Sequence, residues 1–276
     1  MVERNFRLKS LLIHLMLIFL LCIVMIPLLW MLLNSLKTNN EMFKNSLALP
    51  NVWKFNNYSY AWQKGLSRYF LNSVFITAVS VMVICIVGAL AAYGLSRFNF
   101  RLKNLFFFLI LGGLMVSEYC ALVPLYKMMT AAKLYNTQLG LIVIYVAFRL
   151  PFSVFLMRSY FLSLPVDVEE SAIIDGCNSM RVFWQILLPL SKPIIVSAAI
   201  MSSIFIWNEF LFALVFIEKK VLMTMPVGLQ IFRGQLKIDY VSSMAGIVIC
   251  SVPLIILFLI FQKQFVRGLT AGSVKG

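Results

Sequence analysis

Residues 11–33 read LLIHLMLIFLLCIVMIPLLWMLL, without a single Asp, Glu, Lys or Arg. A helix needs about 20 mostly apolar residues to cross the hydrocarbon core of a bilayer. The basic residues Arg4, Arg7 and Lys9 precede the run, as in a secretory signal. The run is longer than the ~7–15 residues of a signal core, and the exit Asn34-Ser35-Leu36-Lys37 lacks a small-x-small cleavage site, so an uncleaved signal-anchor is expected. Five further runs follow at about 70–95, 105–126, 139–162, 186–217 and 241–262. The second and sixth are also uncharged. The third holds Glu118, the fourth Arg149 and Arg158, and the fifth Lys192 and Glu209. The fifth exceeds one crossing, so part of it is expected at the interface or outside lipid. Long apolar runs without period-2 alternation predict helices and not a barrel. The expected fold is therefore an all-α polytopic membrane protein with six transmembrane helices.

The rest of the composition agrees. Of 276 residues, 62% are hydrophobic and 12% charged, against about 25% charged in a soluble domain. That excludes a water-soluble globule and a disordered chain. The net charge of +14 comes mostly from short segments between apolar runs, where anionic lipid headgroups are better neighbours than nucleic acid. Cys22, Cys85, Cys120, Cys177 and Cys250 are scattered, with no C-x-x-C pair, and His14 is the lone histidine. Neither a disulfide framework nor a metal site is expected. Orientation by positive charge is a tie, with eleven Lys/Arg on each side. The first helix and the crowded short loop Arg97, Arg101, Lys103 favour both termini inside.

Four of the ten acids fall in one loop, Asp167, Glu169, Glu170 and Asp175. Pro165 breaks the fourth helix. Asp167 is placed to cap a new one, with Glu170 three positions on as in a capping box. Gly176 can supply the left-handed residue that ends it, and Asn178 or Ser179 can start the next. Pro189 and Pro193 mark the bend into the fifth run. Ser171, Ala172, Gly176 and Cys177 are small, which lets another protein approach the backbone closely. The same pattern also suits a solvated loop that only connects two spans.

Glu170-Ser171-Ala172, Asp175-Gly176-Cys177, Phe183, Ile186, Leu188-Pro189-Leu190 and Pro193 resemble the coupling-loop signature of bacterial ABC importer permeases. Ser171 and Cys177 depart from the usual Ala but remain small. Trp207-Asn208-Glu209-Phe210 is similar to a fifth-span motif of carbohydrate-uptake permeases. The tail Gly268-Leu269-Thr270-Ala271-Gly272 and onward to Gly276 resembles the end of the shorter, maltose-transporter-type permease subunit. The resemblance implies a type I importer permease fold and a cell-membrane location with cytoplasmic termini. It also implies a second permease, two ATPase subunits that bind ATP and Mg, an extracytoplasmic solute-binding protein and a sugar substrate.

On that reading the cytoplasmic loop 165–185 docks on the ATPase through Glu169, Glu170, Ser171, Ala172, Asp175, Gly176 and Cys177. The tail 263–276 reaches the ATPase through Gly268–Gly272. No G-x-x-x-x-G-K-[ST] phosphate loop occurs, so the chain itself is not expected to be an enzyme. Ionisable residues inside spans are costly, about 3 kcal/mol at the centre, so they face a partner or a cavity. Glu118, Arg149, Asn208 and Glu209 are thus candidates for the translocation path. Glu118 and Arg149 either line it or pair structurally. Asn208 and Glu209 either meet the sugar or the binding protein, or fix a helix end. Gly88 and Ala92 fit close helix packing. The rival readings are a permease for a non-sugar solute, a membrane-embedded enzyme and a gated channel. Only Glu118 and Glu209 are deep acids, which leaves little material for the enzyme.

Overall fold

The computed structural model describes the backbone of residues 2–232 and 239–271, with the side chains of 10–230, 232 and 239–263. Among the described residues every regular element is helical. The helices are α1 (Val2–Ser35), α2 (Asn39–Lys44), α3 (Asn56–Ala61), α4 (Ser67–Arg97), α5 (Lys103–Gly112), α6 (Glu118–Ala131), α7 (Gln138–Ser163), α8 (Asp167–Ile174), α9 (Ser179–Val182), α10 (Leu188–Leu190), α11 (Lys192–Asn208), α12 (Leu211–Phe216), α13 (Met225–Gly228) and α14 (Tyr240–Ala271). Four stretches are long and apolar enough to cross a membrane: Ser10–Ser35, Asn56–Arg97, Gln138–Ser163 and Tyr240–Lys263. Two bent pairs raise the number to six if each is one span.

The chain divides into two compact units. The first holds residues 1–67 and 229–252. In α1 every side chain from Leu11 to Leu29 is exposed. An uninterrupted apolar surface of that kind is compatible with lipid as its solvent and not with water. The helix stops in a polar knot. Asn34 donates to the Trp30 and Ser46 carbonyls at 2.8 and 3.0 Å, and the buried Lys37 ammonium donates to the Asn45 and Ser46 carbonyls. Asn57 donates to the Ser35 and Lys37 carbonyls. Thr38 and Glu41 form a capping box for α2, and these bonds hold the exposed Glu41 carboxyl below its ordinary pKa. Asn39 donates to Asp239 Oδ1 at 3.0 Å, and the amide of Ser242 donates to the same oxygen. Burial opposes ionisation of Asp239, but the bonds from Ser242 and Asn39 and the nearby Lys64 charge win, and its pKa is lowered. The edge-on contact of Phe43 with Tyr240, at 5.5 Å, packs beside this bond.

The second unit holds residues 68–228 and 253–276. Along α4, Ser73, Ile76, Ser80, Ile84, Gly88 and Ala92 recur every three or four residues, and all are buried. That spacing makes one stripe down a helix. Lipid tails are as apolar as Leu, so association of such helices rests on contact and hydrogen bonding, which small residues permit. A Cβ on Gly88 would lie 3.6 Å from Met157 Sδ and Ser153 Cβ, so α4 and α7 touch there at van der Waals distance. The stripe packs into two clusters. One is built on Ile84, Leu141, Ile144, Tyr145, Phe212 and Phe216, the other on Ala89, Tyr93, Met157, Phe161, Phe183 and Leu187.

Two expected spans are not single straight helices. The third run breaks by 105° between Met115 and Glu118. There α5 ends in the 3-10 turn Gly113–Met115, and Val116 and Ser117 turn extended. The break falls at Ser117 and Glu118, the one charged residue of the run, while the run as a whole keeps the hydropathy of a single crossing. The fifth run bends by 75° at Ser191, between Pro189 and Pro193, and stops again at Glu209. Only Lys192–Asn208 is one continuous α-helix.

Candidate functional site

The acidic loop folds as a helix–elbow–helix. α8 begins one residue earlier than a cap at Asp167 requires. Val166 is the N-cap, with helical φ/ψ and no side-chain cap bond, and Asp167 already lies in the first turn. The capping-box expectation is therefore corrected. Pro165 presets φ just upstream, and the Val166 carbonyl already accepts from the amides of Glu169 and Glu170. Asp167, Glu169 and Glu170 still sit at the positive end of the helix dipole.

The far end of α8 closes as the sequence reading expects. Gly176 has φ +86°. Its amide donates to the Ile173 carbonyl at 3.0 Å, and that of Cys177 donates to the Ala172 carbonyl at 2.9 Å. This pair of bonds is a Schellman motif, which satisfies two orphan carbonyls. Nothing lies within 4 Å of a Cβ built on Gly176, so torsion and not space is what selects glycine. Asn178 then caps α9, accepting from the Arg181 amide at 2.8 Å.

The seven expected docking residues do not share one face. Glu170, Ser171, Asp175 and Gly176 are exposed, and Cys177 is half-buried. Ser171 Oγ donates to the Asp167 carbonyl. Glu169 and Ala172 are only 6% and 8% exposed and turn toward their own chain. Glu169 meets Arg97 at the end of α4, with Nη2 and Nε at 2.6 and 2.7 Å from Oε1. It is the one ion pair found among the described residues. Arg97 also donates to the Leu164 carbonyl at the end of α7. Tyr93 donates to the Ser179 carbonyl at 3.1 Å and stacks against Phe183 at 5.1 Å. Arg158 donates to the Leu95 carbonyl and covers the Phe107 ring. Sequence reading missed Arg97 and Tyr93, because Glu169 lies 72 residues from its partner. The exposed edge of the hairpin is apolar as well as acidic, with Ile174 85% exposed and Met180 57%.

Of the candidate path residues, Glu118 and Arg149 make no ion pair within 4 Å, against the pairing reading. Arg149 instead places its guanidinium 4.3 Å from the Phe205 ring centre and 5.5 Å from that of Phe152, and its buried Nε has no hydrogen-bond partner. Cation–π contact offsets part of the cost of a charge at that depth. Glu209 fixes a helix end. Its Oε1 accepts from the Phe212 amide at 2.7 Å, and its Oε2 accepts from the Ala213 amide at 3.1 Å and the Tyr145 hydroxyl at 2.7 Å. Asn208 is exposed and donates back to the Ile204 carbonyl. Among the described residues no hydrogen bond or ion pair joins these four directly to one another.

In the tail, the backbone of residues 268–271 continues α14. Gly272 and the residues after it lie outside the described residues. Near the other end of the unit, Asn136 Oδ1 accepts from the amides of Glu218 and Lys219. Tyr135 donates to Glu218 at 2.9 Å, and burial together with that carboxylate pushes the phenol up to about 12. Asn72 holds the next stretch through the Val221 and Met223 carbonyls. Among the described residues no group of His, Cys, Asp and Glu could hold a metal ion.

Residues 84–271 match the family model described as binding-protein-dependent transport system inner membrane component. The chain is 47% identical over 250 residues to the probable ABC transporter permease protein YurM of Bacillus subtilis, spanning 91% of this chain and 83% of the relative. It is 36% identical to the diacetylchitobiose uptake system permease protein NgcG of Streptomyces coelicolor, over 95% and 88% of the two chains. Among solved structures, a chain of a bacterial ABC transporter for import of the acidic polysaccharide alginate superposes with a TM-score of 0.83. It covers 94% of this chain and 97% of its own at 22% identity, a likeness of fold. The polytopic helical architecture, the helix–elbow–helix and these likenesses converge: the chain belongs to the family of binding-protein-dependent transport system inner membrane components, and is a transport permease of the type I ABC importer fold, not an enzyme.

Proposed function

We propose that the chain is one of two permeases in a sugar importer of the bacterial inner membrane, crossing the bilayer six times with both termini in the cytoplasm. The observation that carries the coupling half of this reading is the hairpin 167–182. Glu170, Ser171, Asp175, Ile174 and Met180 stand exposed on a rigid elbow whose inner side is clamped to the ends of α4 and α7. Two ATPase subunits, which carry ATP and Mg, grip that elbow. Closing of the ATPase pair shifts the permeases between inward- and outward-facing states. ATP biases that equilibrium only through its differential affinity for the two. The tail Gly268–Gly272 is assigned to the same subunits on the strength of its resemblance alone. An extracytoplasmic binding protein delivers the solute at the opposite face.

The sugar class is supported by the diacetylchitobiose permease relative. Glu118, Arg149 and Asn208 are the polar groups offered to the path, while Glu209 holds the helix that borders it. The test uses the whole importer in vesicles with its binding protein. ATP hydrolysis is measured against diacetylchitobiose, other di- and oligosaccharides, and methionine. Stimulation by a saccharide alone is expected. Stimulation by methionine and by no saccharide removes the sugar reading. Separately, impermeant thiol reagents should reach Cys177 only from the inner face.

A further inference from the structure

The buried pair Arg97–Glu169 lies on the side of the hairpin that packs against its own chain. Arg97 joins three pieces of chain at once. It ends α4, it holds the last carbonyl region of α7 through Leu164 at 3.3 Å, and it binds α8 through Glu169 at 2.6 Å. Its side chain is 11% exposed and that of Glu169 8%. One helical turn back on α4, Tyr93 adds a second tie by donating to Ser179, the first residue of α9. Both arms of the hairpin are therefore bonded to the same end of the same helix, α4. The ties differ in kind. The first is a charge-assisted contact in which two N–H groups of the guanidinium fork converge on one carboxylate oxygen, Oε1, while Nη2 also reaches the Leu164 carbonyl. The second is a single neutral bond backed by ring contacts to Phe183 and Phe98.

A loop that only joins two spans has no need of a buried ion pair to a third. Burying two charges costs free energy even when they are paired, and a well-packed apolar pair of similar volume often serves stability as well. What the ion pair provides is a fixed geometry between hairpin and helix. We propose that Arg97, with Glu169 and Tyr93, is a positioning latch that makes the hairpin and α4 one rigid body, so that displacement of the hairpin by the ATPases is delivered to α4. The inference rests on the coupling reading above and names the element that receives the motion.

The experiment uses the complete importer in vesicles, with a spin-label pair at Val168→Cys and Leu90→Cys in this chain, its native cysteines replaced by serine. Both positions are exposed, one at the start of α8 and the other on α4. The distance between them is measured without nucleotide and with ATP trapped by vanadate. A second pair, with one label on each of the two ATPase subunits, reports whether nucleotide closes the ATPase pair at all. In the unmodified latch the α4–hairpin distance should stay single and unchanged while the ATPase distance shifts. In Arg97→Gln it should change or broaden on nucleotide, and the ATP hydrolysed per solute transported should rise about fivefold or more. The exchanged pair Arg97→Glu with Glu169→Arg should restore the constant distance.

A distance that changes in the unmodified latch, or one that stays constant in Arg97→Gln, overturns the latch alone. An ATPase distance that never responds to nucleotide overturns the coupling reading instead. Should Arg97→Gln fail to assemble, Arg97→Lys decides. It keeps the charge but loses the fork, so partial uncoupling supports the latch and full coupling refutes it.

Discussion

Replacing Glu209 by Gln separates a helix fastener from a solute contact. The carboxylate takes three bonds: Phe212 N–H on Oε1, and Ala213 N–H and Tyr145 O–H on Oε2. An amide has one oxygen. If the amide nitrogen replaces Oε1, it faces the Phe212 N–H at 2.7 Å, donor against donor. If it replaces Oε2, it can donate to the Tyr145 oxygen, but the Ala213 N–H loses its acceptor. Either way at least one N–H at the start of α12 is stranded in a buried site, at about 1–3 kcal/mol. Loss of the negative charge beside the helix N-terminus adds about 0.3–1 kcal/mol. The sum, about 1–4 kcal/mol, corresponds to a fall of roughly 3–16 °C in Tm for a chain of this size. Glu209→Ala should fall further. Tyr145→Phe should lose about 1 kcal/mol and prove non-additive with Glu209→Gln, since they share a bond. The assay is thermal unfolding of the purified importer in detergent, alongside uptake in vesicles. Unchanged Tm in Glu209→Gln with lost uptake would refute the reasoning and return Glu209 to the solute path.

Other outcomes follow from the same geometry. Gly176→Val forces a β-branched residue to φ +86°, about 1–2 kcal/mol against the elbow, and should abolish uptake while the chain still inserts and assembles. Arg149→Gln and Phe205→Leu should couple by about 0.5–2 kcal/mol in a double-mutant cycle on Tm, and additive effects would refute the cation–π contact. The lowered pKa of Asp239 means that its contribution is whole above the ordinary carboxylate value of 3.8 and is lost as pH falls through the lower folded value. Protease sensitivity of the segment after α1 should therefore stay flat from pH 7 to about 4 and rise below that. Deleting residues 268–276 should reduce uptake; full activity would assign the tail no role.

What the sequence disclosed depended on range. The elbow was legible because its rules act over a few residues. Gly176 is the residue that tolerates a positive φ, and Asn178 is a good helix cap whose side-chain oxygen accepts from the Arg181 amide three residues ahead. The bend at Ser191 was announced by the prolines flanking it. The 105° break near Ser117 was not read, although Glu118 marks it, since an apolar run keeps its mean hydropathy whether straight or folded. The start of α8 was misjudged by one residue because Val166, not Asp167, takes the cap position after Pro165. Glu169 and Glu170 are adjacent and identical in type, yet one is buried and one exposed. Only the fold, which brings Arg97 beside the first, distinguishes them. Helical spacing did not reveal that Arg149 settles over Phe205, a ring from a distant part of the chain. For Glu209 it offered a helix end as one of two readings, and that one holds, because the amides it accepts from lie only three and four residues ahead.

The empty space around Gly176 carries a consequence of its own. Nothing in the neighbourhood excludes a methyl group; what is excluded is its handedness. A D-alanine installed there by chemical ligation would keep the left-handed turn, carry its methyl in the direction opposite to an L side chain and reduce the freedom of the unfolded loop. An importer built that way should turn over at least as well as the natural one until the methyl meets the wall of the ATPase groove. Growing the D-side chain atom by atom would then serve as a ruler for the clearance between the two proteins.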